Sequence, residues 1–303
     1  MRARLKHICD MRKSGRSGQR ATTQSCMSAS IVTSVDYVAL WGISGVTSVI
    51  YSTNSMGQHG DTYVGQRIEA RDIDVVGHIN TRDKAQALEL RRRMLKIFNP
   101  ELSATLVYEY GGFKRVIDCR AYGEPKILKK EVLYEFDLQI ECLNPFWREE
   151  EETKEDIASW VAAWHFPCVI EKDGTKSMIY GYRAESVIVD CYNEGDVSTG
   201  MRIRFTALGT VSNPILLNVD TEEFIQINAT MKTGDVIEIN TKYGSKGAKL
   251  IRDGVETDYF RYIDVDSTFM QLAIGDNMFR YDAASGVNSL EVSIFYSKEF
   301  LGV

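Results

Sequence analysis

Residues able to do chemistry are few in this sequence, and their spacing suits none of the common reactions. There are four histidines, His7, His59, His78 and His165. No two stand at i, i+3 or i+4, which excludes a helix-borne pair of metal ligands. Six cysteines, Cys9, Cys26, Cys119, Cys142, Cys168 and Cys191, include no Cys-x-x-Cys pair, so zinc-ribbon spacing is absent. Cys119, Cys142 and Cys191 fall inside apolar, strand-like runs and are expected as buried thiols. His165 and Cys168 are close enough in sequence for a nucleophilic dyad, but His165 adjoins a Trp-rich stripe that suits packing better. Phosphate-loop, dinucleotide-binding and nucleophile-elbow motifs are all missing. Asp264, Asp266 and Asp276 could supply a glycosidase carboxylate pair. Acids in turns more often bond the backbone. Catalytic, cofactor-binding and metal-ligating residues are therefore all expected to be none.

Two further groups could bind rather than react. Arg91, Arg92 and Arg93 with Lys96 could touch phosphates, but three successive helical residues fan over about 200° and form no stripe. A solvated or subunit-contacting face fits them better. Phe295, Tyr259, Phe260 and Tyr262 could stack on sugar rings, although an aromatic on a strand more often serves a core or an interface.

The positioning elements must be built from 303 residues, which at about 150 per domain suggests two domains. Apolar residues are 44% and charged residues 26%, enough apolar mass for two cores and too much for wholesale disorder. No run approaches ~20 apolar residues, so no membrane-spanning helix and no membrane insertion is expected. The opening residues lack the apolar run of a signal peptide. Net charge is −6. Residues 1–148 carry 22 basic and 16 acidic side chains, and residues 149–303 carry 14 and 26. Seven of the basic residues lie in the first twenty, which read as a strand plus a basic arm. Six acids crowd residues 149–156, directly after Asn144-Pro145-Phe146-Trp147-Arg148. Such a block repels itself, and the boundary is placed there. The expected division is an N-terminal domain over 1–148, an acidic linker with a short helix over 149–165, and a C-terminal domain over 166–303. The short helix rests on Ile157, Trp160, Val161 and Trp164 at i, i+3, i+4 and i+7.

In the N-terminal half the spacing predicts one long helix over 81–98, with Ala87, Leu88, Arg91, Met94, Leu95 and Phe98 near one face and Asn99-Pro100 as its stop. Val132, Tyr134, Phe136, Leu138, Ile140 and Cys142 alternate with polar or charged neighbours and one leucine. This period of two predicts a long antiparallel strand, able to offer an edge to a neighbouring subunit. Segments 104–110 and 113–122 flank Gly111-Gly112, a hairpin signal. Residues 67–79 read as another strand. The C-terminal half is almost wholly β, with alternation at 201–207, 225–230, 237–240 and 290–296 and turn residues between. The fold class is mainly β. An α+β N-terminal domain with one long helix and a long hairpin precedes a C-terminal β-sandwich of jelly-roll type. In Asn144-Pro145-Phe146-Trp147, Pro145 ends the strand, and Phe146 and Trp147 are expected to pack at the domain junction.

The order of these pieces resembles the distal tail proteins of siphovirus-type bacteriophages over roughly residues 30–303. The resemblance is carried by Tyr37–Gly45, Gly57–Tyr63, Arg71–Gly77, the helix ending at Phe98-Asn99-Pro100, and Leu138–Trp147 closing the domain. Further on come Phe166-Pro167, Asn193–Asp196, Asn213-Pro214, Gly234–Thr241, Leu272–Asn277 and Phe300–Val303. It implies a structural protein of the virion tail tip, made in the host cytoplasm. Its N-terminal domain would close into a hexameric ring continuing the tail tube, and its C-terminal domain would be a galectin-like sandwich. The implied partners are other copies of the chain, the major tail tube protein, the tail-tip hub protein and a receptor-binding protein or tail fibre. DNA and the tape-measure protein would pass through the bore without specific binding, and no cofactor is implied. A carbohydrate-binding sandwich recognising the host surface is the alternative.

Overall fold

The computed structural model describes residues 2–7, 28–29, 35–79, 83–130, 133–157, 160–162, 181–183 and 188–303. The chain forms two units. The first is Met1–Glu150 with Phe300–Val303, and the second is Glu151–Glu299.

The first unit contains β1 (Arg2–His7), β2 (Ser28–Ala29), β3 (Val35–Trp41), β4 (Ser48–Thr53), β5 (Thr62–Ile68) and β6 (Arg71–Ile79). Then come α1 (Lys84–Ile97), β7 (Ser103–Tyr110), β8 (Phe113–Lys130), β9 (Leu133–Cys142) and β10 (Trp147–Arg148). Its main sheet is antiparallel in the order β2-β1-β7-β8-β9-β6-β3. The alternation that predicted β9 is realised in burial. Phe136, Leu138, Ile140 and Cys142 are buried, while Asp137, Gln139 and Glu141 between them are not. Yet β9 runs between β8 and β6, paired on both sides. It has no edge to offer a neighbour, and that expectation is corrected. Gly111 and Gly112 make the β7–β8 turn with φ of +57° and +90°. This is the left-handed pair a two-residue hairpin needs, and Tyr110 faces Phe113 across it.

Helix α1 is capped by Asp83, whose carboxylate accepts the Ala85 N–H at 2.9 Å. Ala87, Met94 and Phe98 are buried against the sheet, but Leu88 and Leu95 face outward. The buried stripe is narrower than the apolar spacing implies. The β4–β5 hairpin is a separate two-stranded sheet, and most of its residues are exposed.

The second unit begins with β11 (Thr153–Asp156), β12 (Trp160–Ala162), β13 (Gly181–Arg183), β14 (Ile188–Asp190), β15 (Thr199–Ala207) and β16 (Val211–Asn218). It continues through β17 (Phe224–Gln226), β18 (Thr230–Met231), β19 (Val236–Asn240), β20 (Gly247–Arg252), β21 (Val255–Asp258), β22 (Gln271–Leu272), β23 (Met278–Ser285) and β24 (Leu290–Tyr296). One sheet has the order β11-β24-β15-β19-β20-β21, and the other β14-β23-β16-β17. Ile203, Phe205, Ile239 and Ile294 of the first share one core with Leu216, Ile225 and Phe279 of the second. The unit is a β-sandwich.

The short helix expected after the acidic run is not formed. Thr153–Asp156 pairs antiparallel with β24, and the Ile157 N–H donates to Val292 O at 2.9 Å. Residues 160–162 pair with 181–183 as strands. An exposed strand edge offers the backbone partners that a short isolated helix would have to supply for itself. Residues 300–303, assigned by sequence to the C-terminal domain, fold with the first unit.

Arg71 holds the first unit together at one end. It is only 4% exposed. Its Nε donates to Pro145 O at 2.8 Å, and Nη1 donates to Gly42 O at 2.8 Å and Ile43 O at 3.1 Å. Its Nη2 donates to Leu301 O at 2.5 Å. The fully buried Trp147 ring lies 6.0 Å from the guanidinium carbon and 6.1 Å from the Tyr108 ring. Gly302 passes so close to this cluster that a Cβ would stand 2.4 Å from Ser44 O.

Replacing Trp147 with Ala empties the centre of this core and should cost about 3–5 kcal/mol, read from urea unfolding. Arg71→Ala leaves four carbonyls without their donor and should cost a similar ~3–5 kcal/mol. Arg71→Lys should recover only part of that loss, because one ammonium cannot reach all four oxygens.

Candidate assembly surface

Among the described residues, the exposed large apolar side chains of the first unit include three groups. The β4–β5 hairpin carries Ile50, Tyr51, Tyr63 and Val64, with Met56 at its loop. Leu88 and Leu95 make a ridge on α1 beside Arg91 and Arg92. Tyr110 and Phe113 flank the β7–β8 turn. A two-stranded hairpin with both faces in water is marginal by itself. Apolar groups gathered on such elements mark contact with another protein.

The second unit is built differently on the outer face of its larger sheet. Ile203, Ile237, Ile239 and Leu250 point into the core, so Arg202, Arg204, Glu238, Asn240 and Lys249 point out. Strand register lines up Asp156, Ser293, Arg204, Glu238, Lys249 and Asp258 as one row across six strands. Glu238 sits at its centre with a side chain only 7% exposed. It accepts from Arg204 at 2.6 and 2.9 Å and from Arg202 at 3.4 Å, with the Lys249 ammonium 3.5 Å away. Burial by itself would raise the Glu238 pKa. The Arg204 hydrogen bond and the charges of Arg204, Arg202 and Lys249 outweigh it and hold the carboxyl below its ordinary value. Arg202 also bonds Glu152 at 2.5 Å, so part of the acidic run folds onto this face.

The sequence-singled residues are mostly structural. Asn144 Oδ1 accepts the Phe146 N–H at 3.2 Å, closing the turn that delivers the Pro145 carbonyl to Arg71. Phe146 is half-buried, and Trp147 belongs to the core of the first unit. Cys119, Cys142 and Cys191 are buried free thiols. Cys142 is pushed up by its hydrogen bond to Cys119 and by burial, and burial pushes Cys191 up to about 12. Neither suits a nucleophile. Asp264 bonds Asn228 Nδ2 at 2.6 Å and the Asp266 N–H at 3.0 Å, the turn role expected of it. Asp276 is exposed, as are Arg91, Arg92, Arg93 and Lys96. His165, Cys168, Cys9 and Cys26 lie outside the described residues. Among the described residues no three His, Cys, Asp or Glu gather as metal ligands. Tyr259 and Tyr262 pack tilted against each other with ring centres 4.1 Å apart, Phe260 stacks on Phe269, and Phe295 lies under Arg202 and Arg204. Sequence reasoning missed Arg71 and the Glu238 row. The only sequence signal of the row was charge alternating with apolar residues along its strands, and Arg71, a buried charge at the start of β6, gave none.

Because the Glu238 pKa is lowered in the folded state, its contribution is present above the ordinary carboxylate value of 4.5 and disappears as pH falls through the folded value. Glu238→Gln should cost about 1–3 kcal/mol at pH 7. Its stability should then fall less steeply than the parent's between pH 5 and pH 3, read from thermal melts across that range.

Two family models match the chain. Residues 34–142 match the phage tail protein RIFT-related domain, and residues 194–300 match the siphovirus-type tail component, C-terminal domain. No curated protein matches it. Among solved structures it is similar to the SPP1 Dit protein, described as a paradigm of the hub adsorption apparatus in phages infecting Gram-positive bacteria. That match has 13% identity and a TM-score of 0.62, and covers 88% of this chain and 93% of that one. Chains of the phage P2 baseplate in its activated conformation, with calcium or with strontium, match at TM-scores of 0.53 and 0.54. Their identities are 12% and 13%, and each match covers 98% of this chain and 97% of the other. With both domains in order on one chain, this protein belongs to the siphovirus-type tail components, the distal tail proteins of the phage virion.

Proposed function

We propose that the chain closes into a six-membered ring at the tail tip. The ring joins the tail tube protein above it to the tail-tip hub and receptor-binding proteins below. The observation that carries this reading is the pair of family domains, in order, on a chain whose first unit displays unpartnered apolar elements. In this reading copies meet head to tail, each placing its β4–β5 hairpin and α1 ridge against the next, because a heterologous contact repeated through a closing rotation gives a ring. DNA crosses the bore without being held. Residues 21–148 carry 15 basic and 15 acidic side chains, a balance that supports passage rather than binding, since each neutralised phosphate strengthens a complex. The work assigned to the chain is structural, with no catalytic step.

Light scattering of the purified chain, followed by negative-stain imaging, tests the ring. Six copies of a 34.3 kDa chain give about 206 kDa, with a central hole in projection. Leu88→Glu with Leu95→Glu should return the particle to monomer mass while leaving the melting temperature of the monomer unchanged, since both side chains already face water. A parent chain that stays monomeric, alone and with the tail tube protein, would remove the proposal.

A further inference from the structure

The Glu238 row borders a groove of about 580 Å³ in the outer face of the larger sheet of the sandwich. It is lined by Arg202, Glu238, Asn240, Lys249, Glu256 and Asp258, among others. That volume lies in the range of small-molecule sites, but the lining is polar, unlike the apolar pockets that take drug-like ligands. We propose that this groove binds a neutral oligosaccharide.

Three observations converge on that class. Charge comes first. Arg202, Glu238, Lys249 and Glu256 form one continuous chain of ion pairs, with contacts of 3.4, 3.5 and 3.3 Å. Asp258 accepts the Phe260 N–H at 3.0 Å. An anionic or cationic ligand would have to break a pair already made, which leaves a charge uncompensated. A hydroxyl breaks nothing. It donates to a spare carboxylate lone pair and accepts from a spare guanidinium or ammonium N–H.

Rigidity comes second. The lining side chains stand on β15, β19, β20 and β21, with cross-strand partners Arg202–Asn240, Glu238–Lys249 and Lys249–Asp258. Asn240 Nδ2 is held on Ser245 Oγ at 3.0 Å. Their donors and acceptors are therefore set before a ligand arrives, which lowers the ordering cost of binding.

The third observation is an aromatic ring at the margin. Tyr243 is 77% exposed on the turn between β19 and β20, the turn that also supplies Ser245 and Gly247 to the groove. The Lys246 ammonium stands 4.8 Å from its ring centre. An exposed, positioned ring beside a polar groove presents an apolar face to the C–H side of a sugar while the groove meets its hydroxyls. This site is independent of ring formation, because it lies wholly within the second unit.

The test uses the full chain on an array of immobilised oligosaccharides. Neutral hexose and N-acetylhexosamine chains stand beside their sulfated, phosphorylated and sialylated counterparts. Neutral members should be retained. Tyr243→Ala and Asn240→Ala should each weaken retention about tenfold, and Val265→Ser, at an exposed position outside the groove lining, should leave it unchanged. Tyr243→Ala removes a ring that already faces water, so its melting temperature should match the parent's, and light scattering should show the same mass. Retention of no neutral member overturns the proposal. Exclusive retention of anionic members does so too, as does undiminished retention by both groove variants.

Discussion

A buried guanidinium keeps its proton, so Arg71 must be answered by oxygen atoms wherever the chain can bring them. Burial does lower its pKa, yet arginine starts so high that it stays charged. The first unit answers with backbone carbonyls from three distant stretches of sequence: Gly42 and Ile43, Pro145, and Leu301. Much of the local architecture follows from that demand. Asn144 turns the chain so that the Pro145 carbonyl points inward, and Trp147 then enters the core. Phe300 lies against Arg115, its ring centre 3.1 Å from the guanidinium carbon, and the Val303 N–H reaches Ile43 O at 3.3 Å. The motif that looked like a domain junction is the seat of a buried cation.

The second unit obeys a different constraint. Its strands alternate, apolar inward and mostly polar or charged outward, and Arg204, Glu238 and Lys249 face one another in register across the sheet. That face is satisfied within its own unit, whereas the first unit leaves Ile50, Val64, Leu88 and Leu95 in water. The two units therefore differ in what they ask of partners. One exposes apolar side chains on its hairpin and helix, and the other presents a row of polar groups already paired with one another.

Local periodicity explains what was legible beforehand. Strands β9, β15 and β24 were readable because burial on one face imposes a period of two. The β7–β8 turn was readable because only glycine accepts its backbone angles cheaply. Pairing partners were not readable. Nothing in residues 132–142 says that β9 is flanked on both sides, and nothing near Thr153 announces β24 as its neighbour 140 or so residues later. The stripe of Ile157, Trp160 and Val161 suits a helix, but a free strand edge settled the matter. Leu88 and Leu95 fit the helical spacing of a core face and stand outside it, because the sheet reaches only one side of α1. The Arg71 cluster joins residues 71 and 301, a separation no window of sequence can span.

The way the first unit draws on Leu301 also sets an order of events during synthesis. Residues 151–299 form a continuous unit, so all of it is synthesised before Phe300. The earlier-made unit must wait, because one Arg71 acceptor and the segment around Gly302 are synthesised after the whole sandwich. The usual sequence in which N-terminal domains finish first is inverted. A chain broken off inside the sandwich lacks part of its first unit's core. The buried Arg71 of such a chain is short of one acceptor, the Leu301 carbonyl, and that unit is destabilised accordingly.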